Sequence, residues 1–251
     1  MADWQSLEQE LRLWARQHRR PTLWWRDDDA EADVPELQHL LQISDELQVP
    51  VLLAAVPAKV QPSLAAAVQG HALVGIVQHG FDHTNHAPPT ERKHELGAHR
   101  PLAVMIDALR QGRELLEQHF AGRFQPVLVP PWNRYTPALR PYLHDQVGLR
   151  GLSTLGPRDA AEVDGLTQVN VHVDVLKWKP SAHFAGEADT LTALITHLQQ
   201  RRLGLVDAAE PTGVMTHHLV MDAAAWRFTR QLFKVLNDAG VGWIADLLPA
   251  G

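Results

Sequence analysis

A parallel α/β barrel is the architecture this sequence predicts, and three observations carry the expectation. Strand-like and helix-like segments alternate along the chain, the pattern of a parallel sheet joined by helical crossovers. The chain has 251 residues, 45% of them hydrophobic, enough for one large core, and barrels of this length are routine. Each polar cluster of chemical interest directly follows a strand-like run, and in such barrels chemistry sits at the C-terminal strand ends. No repeat or linker divides the chain. One domain over residues 1–251 is expected, with residues 1–20 forming a helix that packs on the barrel.

Trp4, Leu7, Leu11 and Trp14 recur at helical spacing and mark an amphipathic N-terminal helix. Residues 22–26 form a short β-rich run, and 34–47 read as a helix. Residues 50–56 suit a fully buried strand, 62–69 a short helix and 72–78 the next strand. The longest irregular stretch, 87–100, is polar and contains two prolines; it is either a mobile lid or a plain connection. Pro101 stands in the first turn of a helix that runs through residue 119. A strand at 125–129 and a helix at 137–146 follow, then short strands near 151–155 and 167–172. Residues 187–202 are helical, 213–217 a strand, 222–238 a helix closed by Gly240, and 241–245 the last strand.

Composition narrows the functional classes. A net charge of −6 without a basic run argues against nucleic acid as a partner and leaves a small molecule or a glycan. The absence of cysteine excludes disulfides, thiolate zinc sites and cysteine nucleophiles. The opening residues lack a basic region followed by an apolar core, and no apolar run approaches the ~20 residues that span a bilayer. A cytoplasmic protein without a membrane span is the expectation.

Two segments concentrate the chemistry. Gln78-His79-Gly80-Phe81-Asp82-His83-Thr84-Asn85-His86 places three imidazoles within nine residues, directly after a strand-like run. His79 and His83, four apart, share one face of a helical turn and can hold one divalent ion if a carboxylate joins them. With 15 histidines in the chain, such a pair also arises by accident. Trp24-Trp25-Arg26-Asp27-Asp28-Asp29 supplies the carboxylates, whose mutual repulsion calls for a cation or a proton; a charged turn capping a helix is the plainer alternative. Further clusters follow later strands: Pro130-Pro131-Trp132-Asn133-Arg134-Tyr135, and His217 with His218.

In this order, from about residue 22 to 245, the motifs resemble the polysaccharide deacetylase family, the NodB-homology or family 4 carbohydrate esterases. The resemblance implies a distorted (β/α) barrel of seven strands. It implies a divalent metal held by one Asp and two His, here Asp29, His79 and His83. Zn²⁺ comes first, with Co²⁺, Mn²⁺, Ni²⁺ or Fe²⁺ as alternatives. In the aspartate run Asp28 is then the base and Asp29 the ligand; the other register makes these Asp27 and Asp28, and the first is preferred. Gly80 replaces the usual hydroxyl residue of the second motif. In the third motif Val129 stands at the arginine that steadies the base in the family. Arg26 is a candidate replacement, because residues two apart on a strand face the same side and Arg26 and Asp28 then point together. A structural ion-pair role for Arg26 has equal weight.

Asp174-Val175-Leu176-Lys177-Trp178 resembles the fourth motif, with Asp174 tuning the acid, although Trp178 is also acceptable as core. Met215-Thr216-His217 resembles the fifth, making His217 the general acid, whereas His218 points the other way. Trp132 and Asn133 then border the substrate, with Asp27 and His86 as further candidates; a surface role for His86 and a loop-anchor role for Trp132 are the plain alternatives. The implied activity is hydrolysis of a C–N amide bond, foremost N-deacetylation of an amino sugar or glycoconjugate. Cyclic-amide hydrolysis, or a catalytically inactive carbohydrate-binding member, are the alternatives.

Overall fold

The computed structural model describes residues 2–248, so the expected domain limits at residues 1 and 251 lie outside the described residues. The chain opens with helix α1 (Trp4–Arg16), capped by the Asp3 side chain, which accepts from the Ser6 amide at 2.8 Å. Then come β1 (Thr22–Ala30), α2 (Pro35–Leu47), β2 (Val51–Ala55), α3 (Pro62–Gln69), β3 (Val74–His79), α4 (Leu102–His119) and β4 (Phe124–Val129). A single α turn, α5 (Arg140–Tyr142), precedes β5 (Gly151–Leu152), β6 (Glu162–Val163), β7 (Leu166–Gln168), β8 (Val171–Asp174), β9 (Leu176–Lys177) and β10 (His183–Phe184). The last elements are α6 (Glu187–Leu203), β11 (Thr212–Thr216), α7 (Ala223–Asp238) and β12 (Gly242–Trp243). Proline opens α2 and α3 at the first helical position, where its missing N–H costs nothing, and Asp222 caps α7.

The barrel wall runs β8-β11-β1-β2-β3-β4-β5 with every neighbouring pair parallel. It closes where the chain just beyond β5 meets β8: the Val171 amide donates to Thr154 O at 2.9 Å, and the Gly156 amide to Val171 O at 2.8 Å. Period-two alternation sorts the side chains into two cores. Trp24, Leu52, Ala54, Val77, Val127, Val129 and Met215 fill the lumen. Leu23, Trp25, Leu53, Ile76 and Val214 face outward into the larger layer under the helices, where Leu37, Leu41, Leu194, Leu232 and Phe233 cover them. Each such fully buried Leu or Val contributes roughly 1.5–3 kcal/mol. Helix α1 lies on α6, fastened by the buried ion pair of Glu10 with Arg202, 2.7 Å.

The structure departs from the sequence-based expectation at several elements, and the strand expected near 151–155 is only Gly151–Leu152. β1 continues through Ala30 instead of stopping at Arg26, so the three aspartates lie inside a strand. The helix expected at 137–146 is broken into a 3-10 turn, α5 and a π turn, because Pro141 lacks the N–H that an α ladder needs. The strand expected at 167–172 is two strands, β7 and β8, divided at Val169-Asn170, where the Asn170 amide turns to Glu210 and its side chain accepts from the Thr154 amide. The last strand shrinks to Gly242–Trp243. Residues 87–100 form an irregular connection anchored by the fully buried Glu95 and Leu96, which does not fit a lid. No described helix is long and apolar enough to cross a membrane.

Candidate active site

Because the wall strands are parallel, their C-terminal ends share one mouth, and the site is assembled there. On β1, Trp24, Arg26 and Asp28 point into the lumen as one column. Arg26 is fully buried. Its Nε lies 2.8 Å from Asp28 Oδ1, and Nη2 donates to Oδ2 at 2.9 Å. Nη1 donates to Ser153 Oγ at 2.8 Å, and Nη2 also to Asn133 Oδ1 at 2.8 Å. The Nη2–Oδ2 hydrogen bond and the close Nε–Oδ1 charge contact, which is not an aligned hydrogen bond, hold the carboxylate against the fixed fork of the guanidinium.

Asp29 lies next to this column but departs from strand geometry. Register slips between Asp28 and Ala30 in the pairing with β2, and Asp29 sits at φ 72° in the left-handed region. This bulge turns its side chain to the mouth, where regular alternation would send it outward. Asp29 Oδ1 lies 3.2 Å from His79 Nε2 and 3.4 Å from His83 Nε2. His79 closes β3, and its Nδ1 donates to the carbonyl of Val129 at 3.0 Å. With Nδ1 protonated, a neutral His79 turns the lone pair of Nε2 toward a carboxylate oxygen, so a proton or a cation must sit between them. Asp29 Oδ1 is buried and accepts no aligned hydrogen bond. Two imidazole nitrogens and one carboxylate oxygen, with one imidazole braced by a backbone carbonyl, fit a divalent ion of the zinc type.

The electrostatics agree with that demand for positive charge. Burial pushes the Asp29 carboxyl up, but His79, His217 and His83 outweigh it and hold the group well below the usual carboxylate range. Burial disfavours a charged His79, yet Asp29 and Asp28 raise its pKa. His83 goes the other way, lowered by burial and by His79.

Opposite, His217 follows β11, and its Nε2 lies 3.8 Å from Asp28 Oδ2. The half-exposed Trp178 meets its ring edge-on, 4.5 Å between centroids. Asp174 ends β8, but its oxygens accept from the Leu176 amide and from Trp178 Nε1, both at 2.9 Å. Asp174 therefore makes no hydrogen bond to His217; it braces Trp178. Burial raises its pKa against the pull of His217.

Trp132 and Asn133 lie beyond β4, both at positive φ, with the Trp132 ring 4.4 Å from that of His83. The half-buried Asn133 turns its Oδ1 inward to Arg26. The expected place of Asp27 beside substrate is corrected. It is fully buried on the outward face of β1, where Oδ2 accepts from Thr216 Oγ and the His218 amide, and Oδ1 meets His218 Nδ1 at 2.5 Å. The His86 amide donates to His94 O at 2.9 Å, and the His86 ring Nε2 is buried without a hydrogen-bond partner among the described residues. Sequence reasoning missed Ser153 and Glu95. Neither lies in a motif, and both act from distant chain positions.

A second group with ligand atoms close together, His172, His197 and Glu210, lies at the other end of the barrel. There the Gly213 amide donates to His172 Nδ1 at 3.0 Å, so the ring proton is on Nε2, facing Glu210 at 3.4 Å. Burial, with His172 and Arg201 beside it, pushes His197 down to about 2. A cation there would have to displace the His172 ring proton next to Arg201. His197 Nδ1 and Arg201 Nη1 both meet Thr212 Oγ1 here, at 3.0 and 2.9 Å, and tie α6 to β11.

No family model matches this sequence, and no curated protein does. Solved structures match over most of the chain. A family 4 carbohydrate esterase from Streptomyces lividans in complex with acetate is 16% identical with a TM-score of 0.56, covering 89% of this chain and 91% of that one. The Bc1960 peptidoglycan N-acetylglucosamine deacetylase is 14% identical with a TM-score of 0.55, covering 89% and 85%. A family 4 pseudoenzyme from Bacillus anthracis is 14% identical with a TM-score of 0.58, covering 91% and 65%. The chain has the fold of the family 4 polysaccharide deacetylases, the distorted barrel its motif order resembles.

Proposed function

We propose that this protein is a metal-dependent hydrolase of a C–N amide bond, acting foremost as an N-deacetylase on an amino sugar or glycoconjugate. One observation carries the reading: a buried carboxylate locked by Arg26 stands between the Asp29, His79 and His83 triad and the imidazole of His217. A divalent ion on that triad would supply Lewis-acid polarisation of the acyl carbonyl. Asp28, oriented by Arg26, takes a proton from the attacking water as its oxygen bonds to the acyl carbon. His217 gives a proton to the nitrogen as the C–N bond breaks, leaving a carboxylate and an amine. The half-buried Trp132 offers a ring face to a sugar. Zn²⁺ is the ion we assign, on the nitrogen-rich donor set. Residues 1–251 act as one unit in this reading.

The likeness to a pseudoenzyme supports a second reading, carbohydrate binding without turnover. Zinc-loaded protein assayed on N-acetylated glucosamine oligomers and on cyclic amides separates the two. The deacetylase reading expects acetate release from the oligomers, falling about 10²–10⁴-fold in Asp28→Asn with zinc content unchanged. Oligomer binding without release in the loaded protein would move the assignment to the binding module.

A further inference from the structure

We infer that Glu95 is the positioning residue of the candidate metal centre, fixing His83 through the backbone of its loop; this rests on the metal-hydrolase reading above. Glu95 is fully buried, yet among the described residues no Lys or Arg pairs with it. Its partners are amides. Oε1 accepts from Phe81 N at 2.7 Å and more distantly from Asp82 N at 3.4 Å, and Oε2 accepts from His83 N at 3.0 Å. A strand that turns immediately after its last residue points successive N–H groups into one concavity, where an anion satisfies them together. Left unpaired in the interior, each such group would keep its desolvation penalty uncompensated.

The glycine in this loop belongs to the same arrangement. Gly80 has φ 57°, and a Cβ there would lie 2.4 Å from Glu95 Oε2 and 2.7 Å from Pro131. The side chain missing at position 80 and the carboxylate at position 95 therefore occupy one space. His83, itself at φ 56°, is delivered by this loop to Asp29. The two imidazoles are held differently. His79 is buried on a strand and braced by Val129 O, whereas His83 is partly exposed and depends on its loop. Losing Glu95 thus acts on the centre through His83.

The test is Zn²⁺ titration by calorimetry on the full chain, with the Co²⁺ absorption spectrum as a second readout. Glu95→Ala should weaken Zn²⁺ binding about 10–100-fold, the usual effect of removing an outer support of a metal ligand. Glu95→Gln keeps the volume but turns an N–H donor toward the loop amides, so it should lose affinity to a lesser degree; it carries the test alone if the alanine variant does not fold. In a His83→Ala background, Glu95→Ala should cost less than about twofold more, because its route is already gone. Glu10→Ala, which breaks a buried ion pair elsewhere, should lower the melting temperature and leave Zn²⁺ affinity unchanged. Unchanged affinity in both Glu95 variants, or losses that simply add in the His83→Ala background, would overturn the role of Glu95 while the metal reading stands. Wild-type protein that takes up neither ion would end both.

Discussion

Arg26 and Asp28 meet edge to edge inside the barrel, Nε to Oδ1 at 2.8 Å and Nη2 to Oδ2 at 2.9 Å, from positions two apart on one strand. The pair is sealed from solvent, so its members depend on each other. Arg26→Met leaves a buried carboxylate without its counter-charge, and chemical denaturation should show a loss of about 3–5 kcal/mol. Arg26→Lys keeps the charge but cannot reach Asp28, Ser153 and Asn133 together, so turnover should fall nearly as far as in Arg26→Met. Full activity in the lysine variant would reduce Arg26 to a plain counter-ion.

The three consecutive aspartates should separate by role. Asp29→Asn should abolish stoichiometric Zn²⁺ uptake measured by elemental analysis. Asp28→Asn should retain it. Asp27→Asn should also retain it but unfold at lower denaturant, since Asp27 is committed to Thr216 and His218. Metal loss in Asp28→Asn with retention in Asp29→Asn would move the assignment to the other register, with Asp28 as ligand and Asp27 as base.

Acid should loosen the far end of the barrel. His197 is pushed from 6.5 down to about 2 by burial, so between those values the unfolded chain binds a proton that the folded chain refuses. Stability then rises with pH across that window, and it is lost as pH falls from about 6.5 toward about 2. Urea midpoints measured from pH 7 to pH 4 should decline less steeply in His197→Gln than in wild type. Parallel slopes would show that other groups set the acid limb.

Trp178 connects Asp174 to His217 without any hydrogen bond between those two. Trp178→Phe keeps a ring edge against His217 but releases Asp174 Oδ2 from its indole donor. Steady-state kinetics should show a reduced kcat with KM little changed, because the substitution disturbs His217, the group proposed to protonate the leaving amine. A change confined to KM would place Trp178 in substrate binding instead.

The fold was legible wherever local pattern dictates structure. Strand-like apolar runs marked the wall strands, β8 only as the end of a longer run, and the helical spacing of Trp4, Leu7, Leu11 and Trp14 marked α1. The close approach of Asp29, His79 and His83 was foreseeable because two of the three come from one short segment at a strand end. Other parts depend on contacts that no local pattern carries. Glu95 reads as one more charge in a polar stretch until the loop amides close around it. Ser153 acquires meaning only when β5 is placed beside β4. The outward turn of Asp27 follows from alternation, but the inward turn of Asp29 breaks it. Pro141 stands openly in a helical pattern, and its missing donor explains the break found there.

The bulge at Asp29 also bears on transplanting such a centre into another scaffold. Three aspartates copied onto a regular strand would send only the middle one to the mouth and strand its two neighbours under the helices. The unit to be moved is therefore a backbone irregularity with its side chains, and an engineer would have to insert a residue as well as exchange residues.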